Sequence, residues 1–468
     1  MRNESPRHLP VLSFSPLLVI VILLRMSAVA QKSEPVDAFV ETNMQQMHIP
    51  GLSLAVVKNG RVIKVAGYGI ANLETGTPAT PETMYKTASL SKQVIAAAIM
   101  LLVQDGKISL DDKANKYLDD PPETWSQITI RQLLTHTSGL VRDPADYHPY
   151  EDRPITAVIK DSYSLPLAFQ PGEKWLYSNI GYYVLAQVIT KASGEAWNKF
   201  IAERLFAPAQ MTSTRLATVA DIVPHRANGY HRSDAGMENA ENWIAIRPSG
   251  AFLSNVLDLA RWDMFLDSTT LLTPASRKLM WTPVTLNDHT TADYGFGWAI
   301  NSLFGHARIH HDGQFPGFRS DYERFPDDRL AVIVLANADN DSVEPLAIKV
   351  AGFYDPALTI PPFTLSAGVP ERPVPKGRAV SVTITARDDG HAAPGTLLEM
   401  EIWDASNHPV YKGHQEDEVF GAGQTNAYTF VWTPAEPGVY TVNIGAYGPH
   451  WMPSFAWKEH AATIRVTQ

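Results

Sequence analysis

The sequence predicts an α/β protein of the α+β type. An antiparallel sheet draws strands from both ends of residues 31–355, a helical subdomain is inserted midway, and an immunoglobulin-like β-sandwich follows. Three observations carry this. First, two β-rich runs at residues 52–57 and 62–67 are joined by Lys58-Asn59-Gly60-Arg61, and Asn-Gly between such runs is a strong hairpin signal. Second, strand-like runs return at 295–301, 307–311, 318–324 and 331–336, after a mainly helical stretch at 105–281. Third, prolines at 356, 361, 362, 370, 373 and 375 precede a change of texture to short alternating strands.

The first residues carry Arg2, Arg7 and His8, then an apolar run from Val11 to Leu24, then Ala28-Val29-Ala30. A positive start, a run short for a membrane span and a small-x-small site predict a cleaved signal peptide over 1–30. The expectation is a secreted or periplasmic chain, mature from Gln31, with no stable membrane span after processing. A retained anchor is the alternative, and Arg25 beyond the apolar run favours it slightly. There is no cysteine, so disulfides and thiolate metal sites are excluded. With 45% hydrophobic and 19% charged residues in 468, the chain is ordinary globular material, longer than one typical domain. Its net charge is -10 and no basic patch is concentrated, so nucleic acid is not an expected partner.

Residues 35–47 read as a short amphipathic helix closed by Ile49-Pro50-Gly51. After the hairpin and a polar loop comes Thr87-Ala88-Ser89-Leu90-Ser91-Lys92, opening an apolar, helix-forming run to Leu102 that predicts a helix buried nearly all round. Ser89 is the only serine with a lysine three residues on. Positions three apart share a helix face, so both side chains leave the first turn together. A hydroxyl needs a base to become a nucleophile, and an amine serves only if its surroundings lower its pKa from about 10.4. An ordinary capped helix start with a solvated lysine is the alternative.

Further helices are predicted at 130–134, 155–161, 181–192, 196–205, 256–266 and 273–280, and one at 343–354 closes the unit. The stretches from Leu133 to Leu140 and from Pro171 to Asn179 read as loops that present side chains. Residues 356–377 read as a semi-rigid linker. A sandwich domain over 378–468 is predicted with strands at 380–386, 397–403, 428–432, 438–446 and 461–466.

Ser89-x-x-Lys92, Tyr177-Ser178-Asn179 and His311-Asp312-Gly313, in this order and separation, resemble the three motifs of the penicillin-recognising serine hydrolases. This is the class C-type β-lactamase-related family, with DD-peptidases, D-amino-acid peptidases and lactamase-fold esterases. The likeness extends to Ile49-Pro50-Gly51, Ser249-Gly250 and Pro316-Gly317-Phe318, and spans about residues 35–354. It implies that Ser89 attacks a carbonyl while Lys92 and Tyr177 accept and relay its proton, the phenol kept acidic by neighbouring cations. It implies that Asn179 holds the Lys92 ammonium and donates to the substrate. His311 and Gly313 would lie on the strand edging the site, and the N–H groups of Ser89 and Gln314 would form the oxyanion hole. Water then hydrolyses the acyl-enzyme, with no cofactor and no metal. Taken alone, Tyr177 could be a buried aromatic and Asn179 a helix N-cap. His310 and His311 suggest a metal pair, but strand neighbours point to opposite faces. His136 reads as structural.

Many relatives carry Lys-Thr-Gly at the third motif, and here His311-Asp312-Gly313 stands instead. A histidine is only partly charged near neutrality, so recognition of a substrate carboxylate is weaker and efficient β-lactam turnover is not expected. The sandwich loosely resembles accessory modules of carbohydrate-active enzymes. Its aromatics, Trp432, Tyr440, Tyr447 and Trp451 among them, either pack a core or touch a cell-wall glycan, and core packing is the commoner role. The expected function is an exported serine hydrolase acting through Ser89 on a small ester or a D-amino-acid peptide. A true β-lactamase and a catalytically idle binding or assembly protein are the alternatives.

Overall fold

The computed structural model describes residues 34–144, 153–218, 220–240, 248–250, 252–268, 270–451 and 453–468, and the side chain of His450 is outside this set. The segment read as a signal peptide, with the start at Gln31, lies outside the described residues.

Seven antiparallel strands form the main sheet in the order Ala299–Leu303, His306–Phe315, Phe318–Phe325, Leu330–Ala336, Gly51–Lys58, Arg61–Asn72 and Thr77–Pro78. The hairpin turns where expected, with Asn59 at φ 54° and Gly60 at φ 70°. Two consecutive positive φ values make the turn whose twist matches its strands, which is why Asn-Gly marks it. Strand alternation then divides the interior in two. From Gly51–Lys58, Leu52, Leu54 and Val56 face the terminal helices Pro35–Gln46 and Glu344–Tyr354. Ala55 and Val57 face the larger core beneath the helical subdomain.

The helix Ser91–Gln104 runs through that larger core, and every residue from Ser91 to Leu102 is buried. Its surroundings include Asn179–Ser193, capped by the Ser178 hydroxyl and ended at Gly194 in the left-handed region. The 196–205 expectation resolves into Trp197–Ile201 followed by a wider turn at Ala202–Phe206. The 295–301 run becomes a strand only from Ala299, because Gly295–Trp298 form a turn closed by the Gly295 N–H on the Trp298 carbonyl, 2.8 Å.

Beyond the last helix a three-stranded sheet (Phe363–Gly368, Val380–Asp388, Thr425–Trp432) faces a five-stranded one (Val374–Pro375, Ser454–Thr467, Gly438–Tyr447, Ala393–Trp403, Pro409–Phe420) over its own apolar core. The stretch read as a linker over 356–377 is corrected here. Phe363–Gly368 pairs with Val380–Asp388, and Val374–Pro375 pairs in parallel with Ser454–Thr467. Its prolines sit between or at the edges of strands, where no ladder N–H is required. Trp432 and Tyr440 are core residues, with rings 4.8 Å apart. The sandwich meets the first unit where Phe304 packs on Phe455 and His391. No helix among the described residues is long and apolar enough to cross a membrane.

Candidate active site

Ser89 lies in the single turn Ala88–Leu90 that leads into the buried helix. Ala88 has φ 48°, a left-handed value that a non-glycine residue holds only when its surroundings impose it. Those surroundings are visible. Thr87 is bonded through both N–H and hydroxyl to the Phe252 carbonyl, each at 2.9 Å, and its own carbonyl accepts from Ser320 Oγ at 2.9 Å. The turn is therefore clamped between the segment at Phe252 and the strand Phe318–Phe325.

The first two motifs meet at the Ser89 hydroxyl, and the third abuts the turn that carries it. Tyr177 Oη donates to Ser89 Oγ at 2.8 Å, and Lys92 Nζ approaches the same atom at 3.2 Å. Lys92 Nζ also donates to Asn179 Oδ1 at 3.0 Å and to the Ser249 carbonyl at 2.9 Å, and it lies over the Tyr177 ring at 4.6 Å. The lysine is wholly buried, and burial is the main force lowering its pKa to about 7. Arg142 pushes in the same direction, while Asp143 and Asp312 oppose it. The free base is then accessible near neutral pH, which it is not for a solvated lysine. Tyr177 behaves in the opposite way to the expectation. Burial raises its pKa, and the Ser89 hydrogen bond offsets only part of that. The phenol is a protonated donor, because desolvation outweighs any nearby cation.

Asn179 does not cap the helix. Ser178 takes that role, its Oγ accepting from Gly181 N at 3.2 Å, and this leaves the Asn179 side chain free to face Lys92. His136 Nδ1 accepts from Ser178 N at 3.0 Å, and its ring packs 4.3 Å from Tyr177, so it supports the second motif from beneath.

The third motif lies on His306–Phe315. His311 is buried, with Nε2 2.9 Å from Tyr294 Oη and Nδ1 2.6 Å from the Asp312 carbonyl. A carbonyl only accepts, so Nδ1 carries a proton, and burial lowers the ring's pKa despite Asp312, which favours the neutral form with Nε2 free to accept from Tyr294. Gly313 is a close-approach position. A Cβ there would stand 2.6 Å from Thr87 O and 3.1 Å from the Ala88 side chain. Only glycine lets this strand abut the Ser89 turn. Gln314 follows, facing the same cleft as Ser89, Arg142 and Asn179.

Ser89 thus opens on a cleft of about 300 Å³ whose lining includes Arg142, Asn179, Gly250 and Gln314. On the Tyr177 side lies a groove of about 680 Å³ bordered by Trp175, Tyr294, His311, Asp312 and, from the sandwich, Pro449. Arg142, Asp143, Ser249 and Tyr294 belong to the site without having been assigned a role from sequence. Ser249 stood in a recognised flanking stretch, and the others carry no motif. His310 points to the far face of the strand, as strand alternation requires, and lies with Glu323 and Glu344 in a group whose donor atoms fall within 4.8 Å of one another. Arg308 Nη2 already bonds both of those carboxylates at 2.5 Å and supplies the positive charge there.

The beta-lactamase family profile matches residues 36–352, and the chain belongs to that family of serine hydrolases. The chain is similar to penicillin-binding protein 4* of Bacillus subtilis (strain 168), 31% identical over 421 residues, which is 85% of this chain and 91% of the relative. In fold it is similar to the octameric penicillin-binding protein homologue from Pyrococcus abyssi, at TM-score 0.64 and 20% identity over 89% of this chain and 98% of that one. It is also similar to D-amino acid amidase from Ochrobactrum anthropi SV3, at TM-score 0.59 and 22% identity over 65% of this chain and 92% of that one.

Proposed function

We propose that the protein is an exported hydrolase that cleaves a small ester or a D-aminoacyl amide through an acyl-enzyme on Ser89. The observation that carries this is a buried lysine with pKa about 7 whose Nζ lies 3.2 Å from the Ser89 hydroxyl. In this reading free-base Lys92 takes the Ser89 proton as Oγ bonds the substrate carbonyl carbon. Tyr177, still protonated, hands its proton to the departing alcohol or amine and is reprotonated from Lys92. The N–H groups of Ser89 and Gln314 hold the oxyanion. Water, deprotonated by the same lysine, then releases the acid.

The neutral His311 supports uncharged substrates over β-lactams, whose carboxylate would want a cation there. A D-aminoacyl amide is also what the D-amino acid amidase named above acts on. Export and cell-wall or glycan contact through the sandwich belong to the same proposal. Trp457, 40% exposed on the sandwich, is the surface aromatic suited to such contact.

Intact-protein mass after incubation with a fluorophosphonate, benzylpenicillin and a short-chain aryl ester, with Ser89→Ala in parallel, tests the reading. One adduct on the wild type alone, with ester turnover, supports it. No adduct from any reagent on a folded protein overturns it in favour of an idle binding protein. Rapid penicillin hydrolysis overturns the substrate class in favour of a true β-lactamase.

A further inference from the structure

We propose that Asp143 is a positioning residue for the base: it anchors the Asn179 amide in one orientation and couples a fixed negative charge to Lys92 through that amide. This rests on the reading of Lys92 as the proton acceptor. The geometry is a chain of three groups. Asn179 Nδ2 lies 3.0 Å from Asp143 Oδ1 and 3.1 Å from Oδ2, and Asn179 Oδ1 lies 3.0 Å from Lys92 Nζ. The backbone ties the same pieces together, since Asn179 N donates to the Arg142 carbonyl at 2.8 Å. The carboxylate thus rides on the start of the helix that carries the amide.

An amide has one accepting and one donating end. Turned by 180°, Asn179 would set its oxygen against the Asp143 carboxylate and its N–H groups against the Lys92 ammonium, two repulsive contacts for two attractive ones. Asp143 therefore fixes which end faces the base. A carboxylate can do this because it offers only acceptors.

The charge has a second consequence. Lys92 faces Tyr177 and Tyr182 through their rings, and Asp143, Arg142 and Asp312 through their charges. His136 and His311 also stand near it, both kept neutral by burial. Burial and Arg142 drive the proton off the lysine, while Asp143 and Asp312 hold it. Arg142 Nε is 3.6 Å from Asp143 Oδ2, but the arginine side chain is 68% exposed against 23% for the aspartate. An exposed partner is screened by water and salt, so the aspartate keeps most of its influence inward. Removing that charge makes Lys92 a weaker base, and its free form then persists to lower pH.

The test is the pH dependence of kcat/KM for a neutral aryl ester, measured on the full chain for wild type, Asp143→Asn, Asp143→Ala, Asp143→Glu and Lys92→Ala. Asp143→Asn keeps an acceptor for Asn179 but no charge. Its acid limb is expected to move down by roughly half to one pH unit, the size for one charge across a partly hydrated gap, with a plateau within about threefold. Asp143→Ala loses the anchor as well, so the same shift should come with a plateau about tenfold or more lower. Asp143→Glu should return the limb toward its wild-type position. An acid limb that depends on Lys92 yet stays within 0.2 unit in both Asp143→Asn and Asp143→Ala overturns the proposal. A limb that survives in Lys92→Ala refutes the base assignment instead, and the two failures are told apart by that variant.

Discussion

Gly313→Ala isolates the contact that holds the third motif against the Ser89 turn. The added methyl would lie 2.2 Å from Ser320 Oγ, 2.6 Å from Thr87 O and 3.1 Å from Ala88 Cβ. Ordinary contact begins at 3.4 Å, so the Thr87 carbonyl and the strand must separate by about 0.8 Å. Ser320 can rotate away at the loss of its bond to Thr87 O, about 1 kcal/mol. The backbone carbonyl has no such freedom. Because Gln314 is the next residue, the separation carries its N–H away from the oxyanion it would stabilise. A displaced donor of this kind costs about 10² to 10³ in rate. The assay is kcat/KM on an aryl ester together with the fluorophosphonate labelling rate, with thermal unfolding to show that the fold persists. Gly313→Ala/Ser320→Ala is the control that separates the two obstacles, and it should stay impaired because Thr87 O remains in the way. Rates within threefold of wild type for Gly313→Ala, or full recovery in the double variant, would refute the reasoning.

Wild-type kcat/KM on a neutral ester should fall about tenfold per pH unit below about 7 and level off above it, because only free-base Lys92 accepts a proton; a profile flat from pH 5 to 8 contradicts this. Tyr177→Phe should lose about 10² to 10⁴ in kcat with unchanged circular dichroism, since the ring still packs on His136, and burst kinetics would locate the slowed step. Arg308→Met should leave the buried Glu323 without its guanidinium partner, with a loss of about 3 to 5 kcal/mol in urea unfolding, whereas an exposed pair such as Lys191 with Asp119 should contribute no more than about 1 kcal/mol.

Much of the first unit could be read from residue order because its elements carry local signals. The Asn59-Gly60 turn, the unbroken apolar run after Lys92 and the paired runs around Pro326-Asp327-Asp328 each specify local structure without help from distant residues. The strand Pro409–Phe420 escaped because it is an edge strand with mostly exposed residues, and edges are kept polar to prevent pairing with other chains. Phe363–Gly368 and Val374–Pro375 escaped because the prolines around them suggested a linker. The motif residues of the site were legible, yet their protonation was not. Tyr177 is governed by desolvation, which depends on how His136, Tyr294 and Lys92 close around it. Asp143 lies 36 residues from Asn179 in no recognisable motif, so only folding reveals the pair.

The charges of the site decide what a negatively charged substrate can gain. His311 is neutral and its two nitrogens are already engaged, so it offers nothing to a carboxylate. Acidifying the solution to charge it would also protonate Lys92, and the base would be lost before the anchor was won. Among the described residues, the cation lining the cleft beside Ser89 is Arg142, 68% exposed and near Asp143. An exposed ion pair contributes about 0 to 1 kcal/mol, which is at most about fivefold in affinity. Benzylpenicillin and its methyl ester should therefore acylate the protein at rates within about fivefold of each other. An enzyme that anchors the carboxylate on a desolvated cation would lose far more on esterification, because the buried cation would be left unpaired. A preference of a hundredfold or more for the free acid would mean that His311 is charged in the complex, and the neutral-substrate reading would fall with it.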